Sequence, residues 1–130
     1  MNSNVNIINW KNNNSINISC SILSKGGIIV YPTDTLYGLG CDATNEEAIK
    51  KINSIKRRKT PISVIANSTS MVSNWIKNKK NKKQILQKVS TSNTVIIPIK
   101  KNIVSKLILG ENSSLGVRIP NNKFCTKLTN

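Results

Sequence analysis

The stretch "GGIIVYPTDTLYGLGCDAT", residues 26–44, runs from a paired glycine through strand-forming residues into Thr33-Asp34-Thr35. A second glycine pair then brackets Leu39. The apolar run before Pro32 reads as a buried strand, and Pro32 stops it because proline brings no N–H to a sheet. Beyond it lie hydroxyls, one carboxylate and glycine-lined backbone at a strand end, where ligands of open α/β sheets usually sit. Two readings are open for this segment: the floor of a binding site, or an ordinary turn in which Asp34 and the threonines satisfy neighbouring amides.

Upstream, Ile18, Ile22 and Leu23 recur at helical spacing from Ser15, and Gly26-Gly27 closes that helix. Residues 1–14 are a polar segment or an edge strand around Val5 to Trp10. Downstream, Thr44-Asn45-Glu46-Glu47 reads as a capping box opening a helix with Ala48, Ile49, Ile52 and Ile55 on one face. That helix ends in Lys56-Arg57-Arg58-Lys59 and breaks at Pro61, before a second buried strand, "ISVIA". A short helix over residues 68–77, with Met71, Val72 and Trp75 inward, precedes a lysine-rich loop that turns helical at Gln84. "TVIIPI" from Thr94 is a third strand, "NIVSKLIL" a short helix and "LGVRIP" a fourth strand. Strands alternating with helices make residues 15–130 one α/β domain on a partly parallel sheet.

The formal net charge is +15, from 20 Lys and Arg against 5 Asp and Glu. Such a surplus suits RNA, phosphates or nucleotides, yet a chain so rich in Asn, Lys and Ile also gathers lysine through compositional drift, and both origins stand. Only three of the 20 cations are arginine: Arg57, Arg58 and Arg118. Arginine's planar fork holds phosphate or carboxylate with paired hydrogen bonds, which lysine does not copy. The run Lys56–Lys59 is a solvated helix end or a phosphate clamp, and Arg118 stands where a strand ends. Both aspartates, Asp34 and Asp42, and four of the six glycines fall in residues 26–42.

Histidine is absent, which excludes Ser-His-Asp and Cys-His nucleophiles and every histidine-bearing metal site. Cys20, Cys41 and Cys125 form no CxxC pair and read as reduced, buried small hydrophobes of a cytoplasmic protein. No apolar run reaches the length of a membrane span, and residues 1–19 lack the order of a signal or transit peptide.

In that order, "GGIIVYPTDTLYGLGCDA", "IKRRKTPISVI", "TVIIP" and "LGVRIP" resemble the Sua5/YrdC/YwlC family of threonylcarbamoyl-AMP synthases, over roughly residues 15–125. The resemblance implies a twisted, mixed α/β sheet with flanking helices and a concave basic surface associated with double-stranded RNA. It implies a nucleotidyltransferase-type reaction of L-threonine, bicarbonate and ATP, with Mg²⁺ on the phosphates, as the first step toward the t6A modification of tRNA. Position by position, it gives contact with L-threonine to Thr33 and Arg118, and nucleotide binding to Lys56, Arg58 and Thr94. It implies no protein metal site and no membrane. The chain departs from the pattern in three places. Ser90-Thr-Ser-Asn-Thr94 replaces Pro-Gly-Pro-x-Thr, the loop before Pro61 is short, and no Ser-x-Ala-Asn motif occurs in residues 1–130. The last departure predicts a family domain whose C-terminal part is missing and a chain with little turnover alone. A catalytically silent RNA- or nucleotide-binding module is the second reading, and a carbamoyl-transferring relative of the hydrogenase-maturation type the third.

Overall fold

Apolar side chains at helical spacing and short β-branched runs alternate along the chain, and elements of both kinds form where they alternate. The computed structural model describes residues 5–57, 61–90 and 93–130. The elements are α1 (Ser15–Ser24), β1 (Ile29–Tyr31), β2 (Gly38–Gly40), α2 (Glu46–Lys56), β3 (Val64–Ile65), α3 (Thr69–Trp75), α4 (Lys82–Val89), β4 (Val95–Pro98), β5 (Ser114–Arg118) and α5 (Lys123–Leu128). Strands β1 and β2 form an antiparallel pair. A separate sheet has the order β3-β5-β4, with β5 parallel to β3 and antiparallel to β4. The fold is mixed α/β, as the alternation implied.

α1 ends in a Schellman motif: Gly27 N–H reaches the Ile22 carbonyl at 2.9 Å and Gly26 N–H the Leu23 carbonyl at 3.0 Å. Gly26 has φ +80°, a left-handed conformation that favours glycine. α2 begins one residue later than the capping box placed it. The Asp42 carboxylate accepts from the amide and hydroxyl of Thr44 at 2.8 and 2.7 Å, so Asn45 caps the helix by accepting from Ala48 N–H at 3.0 Å. Ala48, Ile49 and Ile52 are buried, whereas Ile55 is exposed, contrary to the expected four-residue face.

The core gathers Ile49, Val72, Ile97, Ile99, Leu115 and Val117. On β5, Leu115 and Val117 point into it, and the two-residue period of a strand turns Gly116 and Arg118 to the other face. β1 is less buried than its composition suggested, with Val30 exposed. Residues 5–10 form no strand. Trp10 instead meets Phe124 edge-on at 6.5 Å, and its carbonyl accepts from the Ser15 hydroxyl at 2.8 Å. Among the described residues no helix is long and apolar enough to cross a membrane. Of the three free cysteines Cys125 is buried, Cys41 half-buried and Cys20 exposed, so Cys20 departs from the buried expectation.

Candidate functional site

Thr33 folds the segment after β1 into a turn. Its hydroxyl accepts from the amides of Thr35 and Leu36 at 3.2 and 3.1 Å and donates to the Leu36 carbonyl. The turn reading is therefore correct for Thr33 itself, while the residues beside it reach across the molecule. Arg118 donates from Nη2 to Asp34 Oδ1 at 3.0 Å and from Nη1 to the Thr35 hydroxyl at 3.2 Å. Asp34 Oδ2 accepts from Asn121 N–H at 3.3 Å. The side chains of Arg118 and Asp34 keep 22 % and 17 % of their surface exposed, so solvent screens this pair less than an open surface pair.

The backbone under Arg118 is fixed by both neighbouring strands. Ile65 of β3 is level with it, and Ala66 N–H meets its carbonyl at 2.9 Å. Across β5, Val95 faces Val117, so Thr94 stands one step further along, beside Arg118 at the same sheet end. Thr94 is exposed there. Behind the turn, the Cys125 thiol donates to the Pro32 carbonyl at 3.1 Å, and Asn122 caps α5 by accepting from Cys125 N–H at 3.1 Å. Burial, then the Asp34 charge, push the Cys125 thiol from its ordinary value of 9 up to about 11, with Arg118 pulling the other way. Burial also raises Tyr31, helped by Cys125 and Cys41. At pH 7 both side chains are neutral packing groups rather than nucleophiles.

The fold thus brings Thr33, Thr94 and Arg118 to one end of the sheets. Lys56 is exposed at the C-terminal end of α2, and no hydrogen bond or ion pair joins it to this cluster among the described residues. Arg58 lies outside the described residues. A cavity of about 210 Å³ opens between the two sheets, walled by Tyr31, Leu39, Ile49, Ile52, Val64 and Ile108. Apolar side chains dominate it and none of Thr33, Lys56, Thr94 or Arg118 lines it, so the polar chemistry sits at the strand ends. In the sequence Asp34 and Thr35 stand out as part of the segment after β1, yet nothing there pairs them with Arg118, and Asn121 carries no signal of its own.

A family model described as Telomere recombination, covering Sua5, YciO and YrdC, matches residues 21–130. The chain belongs to the Sua5/YciO/YrdC family. It is 31% identical over 103 residues to a threonylcarbamoyl-AMP synthase of Xanthomonas euvesicatoria, a match covering 75% of the chain and 54% of that relative. It is 30% identical over 124 residues to the threonylcarbamoyl-AMP synthase of Saccharophagus degradans, covering 92% of the chain and 64% of that relative. The chain therefore spans less than two thirds of the length of these curated relatives. A crystal structure of P. abyssi Sua5 complexed with L-threonine superposes with a TM-score of 0.75 at 27% identity, covering 88% of the chain and 34% of that protein.

Proposed function

We propose that the chain carries the L-threonine and nucleotide floor of a threonylcarbamoyl-AMP synthase, acting in the cytoplasm toward the t6A modification of tRNA. In that reaction the threonine amine and bicarbonate condense to a carbamate with loss of water. A carbamate oxygen attacks the α-phosphorus of ATP, and pyrophosphate leaves. The observation that carries the reading is Arg118, whose guanidinium is held at a strand end against Thr35 with Thr94 alongside. A fork so placed suits the substrate carboxylate, with the Thr33 turn as its wall, while Lys56 and Arg58 take the ATP phosphates. Positioning and charge compensation are most of the catalysis such a step needs, and a chain without histidine supplies both.

Among the described residues no three His, Cys, Asp or Glu side chains gather into a metal cage, and the site's own carboxylate, Asp34, is engaged by Arg118. Mg²⁺ would accordingly be held by the phosphates of ATP, whose charge it neutralises. tRNA or double-stranded RNA would meet the lysine-rich surface, and three free cysteines fit a reducing compartment.

The test is calorimetric titration with L-threonine and with ATP, alongside pyrophosphate release that depends on both L-threonine and bicarbonate. Threonine affinity abolished in Arg118→Ala, and ATP affinity weakened more by Lys56→Ala than by Lys79→Ala, are the expected results. A wild-type chain that binds neither ligand overturns the reading. Ligand affinity without pyrophosphate release selects the catalytically silent binding module.

A further inference from the structure

We infer that the apolar cleft between the two sheets is a docking site for an extended, apolar β-segment, which pairs with the free edge of β3 and joins both sheets into one. The inference does not depend on which ligands the Arg118 cluster takes.

The cleft encloses about 210 Å³. The β1–β2 pair contributes Tyr31 and Leu39 to its lining, β3 contributes Val64 and Ile65, and α2 contributes Ile49. Tyr31, Leu39, Val64 and Ile65 are left half-buried there. Protein interiors hold few voids larger than a water, so an opening of this size between apolar side chains forfeits contacts that an occupant restores. None of the described residues lining it is charged, in a chain of net charge +15, so it is not built for a phosphate or a carboxylate.

The β3 backbone narrows the occupant further. Ile65 is level with Arg118 on β5, and Ala66 N–H meets the Arg118 carbonyl at 2.9 Å. In a parallel ladder this turns the backbone groups of Val64 and Ala66 toward β5 and those of Ile65 away from it, where they have no backbone partner among the described residues. No strand lies on that side of β3, and β1 and β2 pair only with each other. A hydrocarbon ligand would leave the N–H and C=O of Ile65 unmatched, whereas an added strand bonds them while its alternate side chains fill the cleft. A two-stranded pair is also marginal by itself, and joining a larger sheet relieves that. The relatives carry further chain from which such a segment can come: the matches span 64% of the Saccharophagus degradans synthase and 34% of P. abyssi Sua5.

The probe is the part of the S. degradans synthase outside the match, co-expressed as a separate polypeptide with the 130-residue chain. The two are expected to co-purify. In the complex the Ile65 amide should exchange with solvent roughly tenfold or more slowly than in the free chain. Cys41, which lines the cleft, should lose reactivity with iodoacetamide, whereas the exposed Cys20, outside it, keeps its rate. Ile65→Pro removes the edge N–H without touching a bond to β5, and should abolish co-purification while the amide spectrum stays folded. Should that variant fail to fold, Leu39→Lys, which puts a charge into the cleft, takes its place. Failure of the wild type to co-purify overturns the inference, as does a complex in which Cys41 and Ile65 keep their free-chain rates. Cys41 protection that grows with the concentration of this chain alone, together with a doubled mass, also overturns it and assigns the cleft to a second copy.

Discussion

At Arg118 the geometry requires a planar fork, because one side chain must reach Asp34 and Thr35 from separate nitrogens. Lysine is the common cation of this chain and ends in a point charge, which meets one of them well and the other poorly. Arg118→Lys is therefore expected to keep the fold and lose about 1.5 to 3 kcal/mol of L-threonine binding, measured by calorimetry. Affinity within twofold of wild type would mean the fork is not used. Cys125 offers a second check. Its thiol titrates near 11 in the folded chain against an ordinary 9, so between these values the unfolded chain has released a proton that the folded chain still holds. Stability should be full below pH 9 and fall as the pH rises toward 11. Urea unfolding midpoints across that window, compared with Cys125→Ala, read the effect; an equally steep fall in the variant assigns it to other groups. The rarity of arginine drew attention to Arg118, and the family resemblance to Thr33. The partnership with Asp34 was not legible in the sequence, since 83 residues separate Thr35 from Arg118 and no local pattern reports a contact at that range.

The β1–β2 pair explains the second glycine pair. The Tyr31 ring lies across both glycines, and a Cβ on Gly40 would stand 2.6 Å from its Cε1. Gly40→Ala should push the ring aside and destabilise the chain by about 1 to 3 kcal/mol, the usual cost of overpacking. A denaturation midpoint equal to wild type would show that the ring yields freely. Helices and longer strands could be read from apolar spacing because their faces pack on one core. Strand β2 could not: three residues, two of them glycine, carry no side-chain alternation, and only the pairing of Leu39 with Val30 reveals it. The cap of α2 moved from Thr44 to Asn45 for a similar reason, since a capping box describes residue types and Asp42 had already engaged the Thr44 hydroxyl. Of the two readings of the N-terminal segment, the edge strand does not form over residues 5–10, and Trp10 docks that segment through its ring.

Over the whole molecule, charge is unevenly distributed: all five acids lie between Asp34 and Glu47 or at Glu111, so none occurs from Ala48 to Gly110. Composition alone left drift and selection equal. The fold adds that an antiparallel bridge between Ile76 and Ile99 sets Lys77 across from Pro98 and Lys100 across from Trp75, with Lys77 N–H on the Pro98 carbonyl at 3.2 Å and Lys100 N–H on the Trp75 carbonyl at 2.8 Å. The run Lys77–Lys83 and the pair Lys100-Lys101 thereby leave this bridge on its two sides, and their lysines are exposed apart from the half-buried Lys82. Exposed lysines with few aromatics attract phosphates without reading bases, so double-stranded RNA affinity should vary little with sequence and fall steeply with salt. Changing Lys77, Lys79 and Lys80 together to glutamine should weaken RNA binding uniformly and flatten the salt dependence by roughly 0.9 in slope for each phosphate contact removed. L-threonine affinity should be unaffected, because none of the three touches Thr33, Asp34 or Arg118. Gel-shift titrations over a range of salt concentrations measure both quantities. Binding that ignores salt, or a triple variant with unchanged slope, would make these lysines solvated surface and return the charge to drift.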